Sequence, residues 1–139
     1  MLGGKFVYDS EVFKMASIII TSGKQQGHFY PLGRRTNVIG RDEALLIQIL
    51  DHLVSRKHMQ IRFDTQTNQY FALDMKSSNG VYINHQKITG ETPLKNGDVI
   101  SVGMTTLLFT DEDFDSQESA MRYYKKTGER MRVTSYGSL

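Results

Sequence analysis

The sequence predicts an all-β fold, a sandwich or barrel, on three observations. Short segments alternate apolar and polar residues with the period of half-buried strands. Clusters of Gly, Asn, Asp and Ser, such as Asn79-Gly80 and Asn96-Gly97-Asp98, separate those segments with turn chemistry. Only two prolines interrupt, Pro31 and Pro93, and both lie near strand ends or in loops, where a missing N–H does least harm.

Taken in order, the candidate strands begin with Ser17–Thr21, a run of three isoleucines. His28–Leu32 and Asn37–Arg41 follow, the second ending in Ile39-Gly40-Arg41. Ile47–Leu50 and His58–Phe63 alternate plainly; Asn68 then turns the chain into Tyr70–Asp74. Val81–Ile83 opens directly after Asn79-Gly80. Val99–Val102 and Thr106–Thr110 close the set, giving nine short strands spaced mostly by about 8–12 residues.

Composition narrows the class. The 139 residues are 39 % hydrophobic and 23 % charged, enough to bury one core without disulfide or metal staples. There is no cysteine, which excludes a disulfide framework, a thiolate zinc site and a cysteine nucleophile. No apolar run is longer than the four residues of Ala44–Ile47, far short of the ~20 residues of a membrane span. Residues 1–15 carry acids and no continuous apolar stretch, so no signal peptide is expected and the expected location is cytoplasmic. The formal net charge of +2 lacks the dense basic stripe of nucleic-acid binders, and no aromatic stacking platform accompanies the cations. A small, focused anion site is compatible with that charge. Nucleic acid and membrane are not expected partners.

Three divisions are expected. Residues 1–16 read as an N-terminal extension or arm, residues 17–111 as the β domain, and residues 112–139 as a tail. In the tail, Asp115 and Glu118 suit an N-cap and its N3 partner, and Gly128 suits the C′ position. A helix is therefore expected over about 116–127, acidic at its start and basic at its end as the helix dipole prefers, with flexible residues beyond it. Ala120, Met121 and Tyr124 would be its apolar face against the sandwich.

Polar clusters interrupt the strands. Ile39-Gly40-Arg41 ends one with a cation, and Ser55-Arg56-Lys57-His58 opens another with a hydroxyl, two cations and an imidazole. Asp74–Gly80 joins two more through short polar side chains, and Leu94-Lys95-Asn96-Gly97-Asp98-Val99-Ile100-Ser101-Val102-Gly103 follows. In this order and spacing the four motifs, with Ile47-Gln48-Ile49, Val54 and Asn84 between and after them, resemble the forkhead-associated (FHA) domain over about residues 17–111.

That resemblance implies an eleven-stranded FHA-type β-sandwich with a short C-terminal helical tail, whose loops at one end bind a phosphothreonine peptide. A phosphothreonine ester carries about −1.5 to −2 charge and three strong acceptor oxygens. By the resemblance Arg41 is the phosphate-binding arginine, whose planar fork suits phosphate oxygens, while Ser55 and Ser78 contribute hydroxyls. Arg56 and Lys57 add positive potential. Asn79 pairs with the peptide main chain beside the phosphorylated residue, having both a donor and an acceptor. Threonine over serine is expected from a small pocket for the γ-methyl, a discrimination of about 1–3 kcal/mol. Gly40 and Gly80 serve backbone geometry and His58 braces the loops.

Departures bear on specificity. Val81 stands where the family usually has threonine, which is expected to remove one loop hydroxyl. Asp42 and Glu43 would oppose a phosphate if they faced it, and Leu45 and Leu46 either read an apolar peptide residue or cap the sandwich.

The functional expectation is a non-catalytic phosphothreonine-peptide-binding adaptor in Ser/Thr-kinase signalling, with no cofactor and no metal. Its partner would be a phosphothreonine-containing protein, either a kinase or a kinase substrate. The competing class is a phosphate-independent scaffold that assembles through a sheet face or its tail, where Thr127 and Thr134 are candidate phosphorylation sites for self-association. An enzyme would have to use Ser55, His58 and Asp74 as a triad, without a nucleophile-elbow motif. His28, His52, His58 and His85 lack metal-ligand spacing.

Overall fold

A computed structural model describes residues 16–112, 118–123 and 125–126. The chain forms eleven strands: β1 (Ser17–Ile20), β2 (Phe29–Pro31), β3 (Asn37–Gly40), β4 (Ile47–Gln48), β5 (Met59–Asp64), β6 (Gln69–Asp74), β7 (Val81–Ile83), β8 (Gln86–Lys87), β9 (Thr92–Pro93), β10 (Val99–Val102) and β11 (Thr105–Thr110). They make two sheets, one in the order β2, β1, β11, β10, β7, β8 and the other β4, β3, β5, β6, β9. The β3–β4 pair is parallel, Ile39 opposite Ile47, and the other pairs among the described residues are antiparallel.

All nine strands expected from alternation are present, most of them trimmed or shifted by a residue or two. The two added ones, β8 and β9, have two residues each, too few for a period of two to show. β8 pairs back on β7 across a two-residue turn in which Asn84 (φ 51) and His85 (φ 72) are both left-handed, the geometry of a type I′ hairpin. Both prolines lie on outer strands, Pro31 at the end of β2 and Pro93 in β9.

Alternate side chains of both sheets meet in one core that includes Ile18, Ile20, Ile39, Ile61, Ala72, Ile100 and Leu107, all without solvent exposure. Tyr70 joins the core with its ring tilted against Phe63 and edge-on to Phe109, and its hydroxyl donates to the Gly33 carbonyl at 2.6 Å. A buried phenol thereby keeps its polar end satisfied.

β1 is buried at every position, which one core cannot explain. Ile19 points to the other face of its sheet, where it meets Leu108, Ala120, Phe29, Val99 and Tyr123. Residues 118–123 and 125–126 are helical and cover that face. The expected tail helix is therefore present at those residues; its expected ends fall outside the described residues. Ala120 is fully buried, as its helical face required, and the Met121 sulfur lies against Gly27. Tyr123 also packs in this cluster, whereas the expected Tyr124 lies outside the described residues, as do Thr127 and Thr134.

The strand registers place several loops at one end. Gly40 ends β3, Met59 begins β5 opposite Asp74 at the end of β6, and Val81 begins β7 opposite Val102 at the end of β10. The segments 41–46, 49–58, 75–80 and 103–104, with the β1–β2 loop at 21–28, thus share that end. The fourth motif braces the other end. There Asn84 donates to Asp98 at 2.9 Å and accepts the Val99 N–H at 3.0 Å, and Asp98 also accepts the Lys95 N–H at 2.8 Å.

Asp51 is the chief brace at the loop end. One carboxylate oxygen accepts the Leu53 N–H at 2.9 Å, and the other accepts the Met104 N–H and the Thr105 hydroxyl, each at 2.8 Å. Burial alone would raise its pKa, but the bonds from Leu53, Thr105 and Met104 outweigh it and hold the carboxyl below the ordinary carboxylate value. Asp51→Asn is expected to cost about 1–3 kcal/mol at neutral pH, because an amide group cannot accept at both ends. The native pKa lies below the unfolded one, so this stabilisation is full above the unfolded value and disappears as pH falls through the native value. Urea unfolding should therefore show a gap between variant and parent at pH 7 that narrows in strong acid.

Candidate functional site

Gly40 sets the first contact. A Cβ there would overlap the Arg56 carbonyl and sit 2.9 Å from the Ser55 carbonyl oxygen, so only glycine lets β3 run this close to the 49–58 loop. Two backbone bonds lock that approach, from the Arg41 N–H to the Ser55 carbonyl at 3.0 Å and from the Asp42 N–H to the Arg56 carbonyl at 3.2 Å. The Arg41 guanidinium is then anchored by one nitrogen, its Nε donating to the Val54 carbonyl at 2.9 Å. Arg41 is exposed, and among the described residues its two terminal nitrogens make no hydrogen bond or ion pair.

Ser55 and the 75–80 loop meet next. The Ser55 Oγ accepts the Ser78 N–H at 3.0 Å, which leaves the hydroxyl proton available for a further acceptor. The Asn79 Nδ2 donates to the Leu53 carbonyl at 2.8 Å, binding the same two loops a second time. The Asn79 Oδ1 has no partner among the described residues. The third loop is shaped internally: Ser77 N–H donates to the Asp74 carboxylate at 3.2 Å, and Gly80 N–H, at φ 83, donates to the Ser77 hydroxyl at 2.9 Å.

His58 lies beneath, without solvent exposure. Its Nδ1 accepts the Ser55 N–H at 2.9 Å, so in the neutral ring Nε2 carries the proton and donates to the Gly80 carbonyl at 2.7 Å. Its backbone ties β3 to β6 as well, from His58 N–H to the Ile39 carbonyl and from Met75 N–H to the His58 carbonyl, each at 2.9 Å. Both ring nitrogens are thus spent on backbone groups. Neither touches the Ser55 hydroxyl or Asp74, so these three residues do not form a catalytic triad.

Of the two acids that follow Arg41, Glu43 is exposed and Asp42 is partly neutralised within the protein. Asp42 accepts the Ala44 N–H at 3.0 Å and pairs with Arg56 at 3.3 Å. The Ala44 bond foremost, then Arg56 and Lys57, lower the Asp42 carboxyl below its ordinary value despite some desolvation. Arg56 is correspondingly engaged, with a side chain that is still 72 % exposed. Leu46 is 72 % exposed and Leu45 half-buried, so the two do not act alike.

Arg41, Ser55, Ser78 and Asn79, three loops apart in the chain, therefore come together at one end of a two-sheet sandwich, over a buried histidine. A family model described as the FHA domain matches residues 37–103. The solved FHA domain of FhaA, in complex with another protein's intracellular domain, is 30 % identical and superposes with a TM-score of 0.60 over 68 % of this chain and 98 % of that one.

The chain belongs to the FHA domain family.

An FHA domain solved in a study of phosphothreonine-dependent interactions is 28 % identical, with a TM-score of 0.63 over 72 % of this chain and 99 % of its own. Among curated relatives, FhaA of Mycobacterium tuberculosis is 32 % identical over 92 residues, which are 66 % of this chain and 17 % of FhaA. The oxoglutarate dehydrogenase inhibitor of Corynebacterium jeikeium is 32 % identical over 94 residues, which are 68 % of this chain and 63 % of the inhibitor.

One expected departure from the FHA pattern is corrected. Val81 is a fully buried core residue at the start of β7, so a side chain at this position faces the hydrophobic interior and takes no hydroxyl away from the loop surface. Other contributors lay outside the sequence reading because they act through the backbone. The carbonyls of Val54 and Leu53 hold Arg41 and Asn79, and no side-chain type announces a carbonyl. Asp51 did carry a signal, since Asp-x-Leu with the Leu53 N–H on its carboxylate is an Asx turn. Among the described residues no three His, Asp or Glu side chains cluster to hold a metal, and no helix is long and apolar enough to cross a membrane.

Proposed function

We propose that this chain is a non-catalytic phosphothreonine-peptide-binding module that serves as an intracellular adaptor in Ser/Thr-kinase signalling. The observation that carries it is the state of the donors. Arg41 is fixed through Nε with its terminal nitrogens open, beside a Ser55 hydroxyl that accepts the Ser78 N–H and keeps its own proton to donate. Donors held in place with protons still to give suit a phosphoryl group, which brings acceptors only.

In this reading Arg41 forks onto the phosphate while Ser55 and Ser78 donate hydroxyls to it. Arg56 adds positive potential from its pair with Asp42. Asn79 turns its open Oδ1 to a peptide N–H and keeps its amide nitrogen on Leu53. Gly40, His58 and Gly80 hold the loops. The partner is a kinase or kinase substrate that displays the phosphothreonine.

The test is calorimetry with matched peptides. A phosphothreonine peptide drawn from an oriented library should bind near micromolar, about −8 kcal/mol. The unphosphorylated peptide should not bind, and phosphoserine should bind more weakly. Affinity should decline as pH drops through about 6, where the phosphate loses half its second charge. Equal binding of the phosphorylated and plain peptides overturns the reading.

A further inference from the structure

Two asparagines of the chain, Asn79 and Asn96, precede a glycine. That dipeptide carries chemistry of its own. Glycine sets no side chain beside its amide nitrogen, so the nitrogen can close on the Cγ of the preceding asparagine and form a five-membered imide. The fold restrains the two pairs very differently.

At Asn96 the backbone is clamped. Gly97 N–H donates to the Phe109 carbonyl at 2.8 Å, and Phe109 N–H returns a bond to the Asp98 carbonyl at 2.9 Å. The Asn96 Oδ1 accepts the Asp111 N–H at 3.0 Å. Bringing the Gly97 nitrogen onto the Asn96 side chain would pull this turn off β11.

At Asn79 the restraints come from side chains. Gly80 N–H rests on the Ser77 hydroxyl at 2.9 Å, and the Gly80 carbonyl on the His58 ring at 2.7 Å. Asn79 is exposed, its Nδ2 donating to the Leu53 carbonyl at 2.8 Å and its Oδ1 open among the described residues. The same loop holds Lys76 at φ 58, a left-handed conformation that favours glycine. Local opening of 75–80 therefore frees the Gly80 nitrogen at lower cost than opening the turn at Gly97.

The step balances with solvent alone. Hydroxide takes the Gly80 amide proton, the nitrogen bonds to the Asn79 Cγ, and the Cγ–Nδ2 bond breaks, Nδ2 leaving as ammonia with a proton from water. Water then opens the imide at one of its two carbonyls and leaves aspartate or isoaspartate at position 79. One water is consumed and one ammonia released.

We propose that Asn79-Gly80 is a self-modification site at which deamidation switches phosphopeptide binding off, and that bound phosphopeptide protects it. The inference rests on the phosphothreonine reading above and gives that site a lifetime. The new carboxylate has no proton for the Leu53 carbonyl and sets a negative charge on a loop that receives the phosphate. Protection follows from the amide itself. With Nδ2 on Leu53 and Oδ1 on a peptide N–H, both ends of the side chain are held and Cγ cannot turn to the Gly80 nitrogen.

The experiment keeps the full chain at physiological temperature in mildly alkaline buffer and samples it over days. Mass spectrometry of digests assigns the gain of about one dalton to each asparagine, and calorimetry titrates the same samples with a phosphothreonine peptide. Conversion at Asn79 should outrun that at Asn96 at least about fivefold, with the binding-competent fraction falling in step. Saturating phosphopeptide should slow conversion at Asn79 at least about fivefold and leave Asn96 unaffected. Ser77→Ala, which frees the Gly80 N–H, should speed conversion at Asn79 alone. Asn79→Asp should reproduce the loss, binding at least about tenfold more weakly than the fresh parent. No conversion at Asn79, conversion at Asn96 that matches it, full binding by the converted chain, or a rate that phosphopeptide leaves unchanged overturns the proposal while the phosphothreonine reading stands. A fresh chain that binds no phosphopeptide overturns both.

Discussion

Arg41→Ala is expected to reduce phosphothreonine-peptide binding from micromolar to below detection while leaving thermal unfolding close to that of the parent. The side chain is exposed and gives the protein itself a single hydrogen bond, to the Val54 carbonyl, so little stability goes with it. That carbonyl lies at a loop where water can replace the donor. The peptide would lose far more. A charge-assisted bond to phosphate is worth about 1.5–3 kcal/mol, and a bidentate fork supplies two. Arg41→Lys should recover only part of the loss, because an ammonium is a point charge and the Val54 carbonyl is positioned for Nε. Undiminished binding by Arg41→Ala, measured by calorimetry, would show that the phosphate is held elsewhere.

His58→Ala is expected to do the reverse, lowering stability by about 2–4 kcal/mol through two unsatisfied backbone groups and a cavity. The Ser55 N–H and the Gly80 carbonyl both lose a buried partner, since the ring that joins them has no solvent exposure. For a domain of this size that is a drop of about 10–20 °C in Tm. Below the transition the variant should still bind phosphopeptide, only more weakly, because Ser55 and the 75–80 loop are each released from one constraint. A variant that melts with the parent would mean that the two hydrogen bonds carry no net weight.

The two variants also separate what sequence reading sees from what it misses. Nine strands were legible because their side chains alternate and turn residues bound them, from Ile18 and Ile20 in β1 to Leu107 and Phe109 in β11; even β4, of two residues, lies in the longer run Ile47–Leu50. β8 and β9 were not, because they have two residues each and no alternating run extends them. Ile19 reads as one more strand hydrophobe; that it faces away from the main core, under Ala120, depends on a contact about a hundred positions along the chain. At the site, Arg41, Ser55, His58, Ser78 and Asn79 were visible as residue types in ordered motifs. The mode of their connection was not. The use of Ser55 as an acceptor for Ser78, the anchoring of Arg41 on Val54 and the bond from Asn79 to Leu53 all involve main-chain atoms, which every sequence shares. The meeting of the β1–β2 loop with the segment after β4 depends on Gln25 bridging to Gln48 and Leu50, a long-range contact with no local signature.

The outermost strands of this sandwich carry a consequence for how it behaves in company. Each sheet is flanked by strands of only two or three residues, and each of the two prolines sits on one of them. A neighbouring copy looking for a margin to zip onto finds room for hardly a rung, and at Pro31 and Pro93 no amide proton to offer. Copies gathered at high local density on a multiply phosphorylated partner would therefore remain separate particles, touching through side chains and not by fusing their sheets.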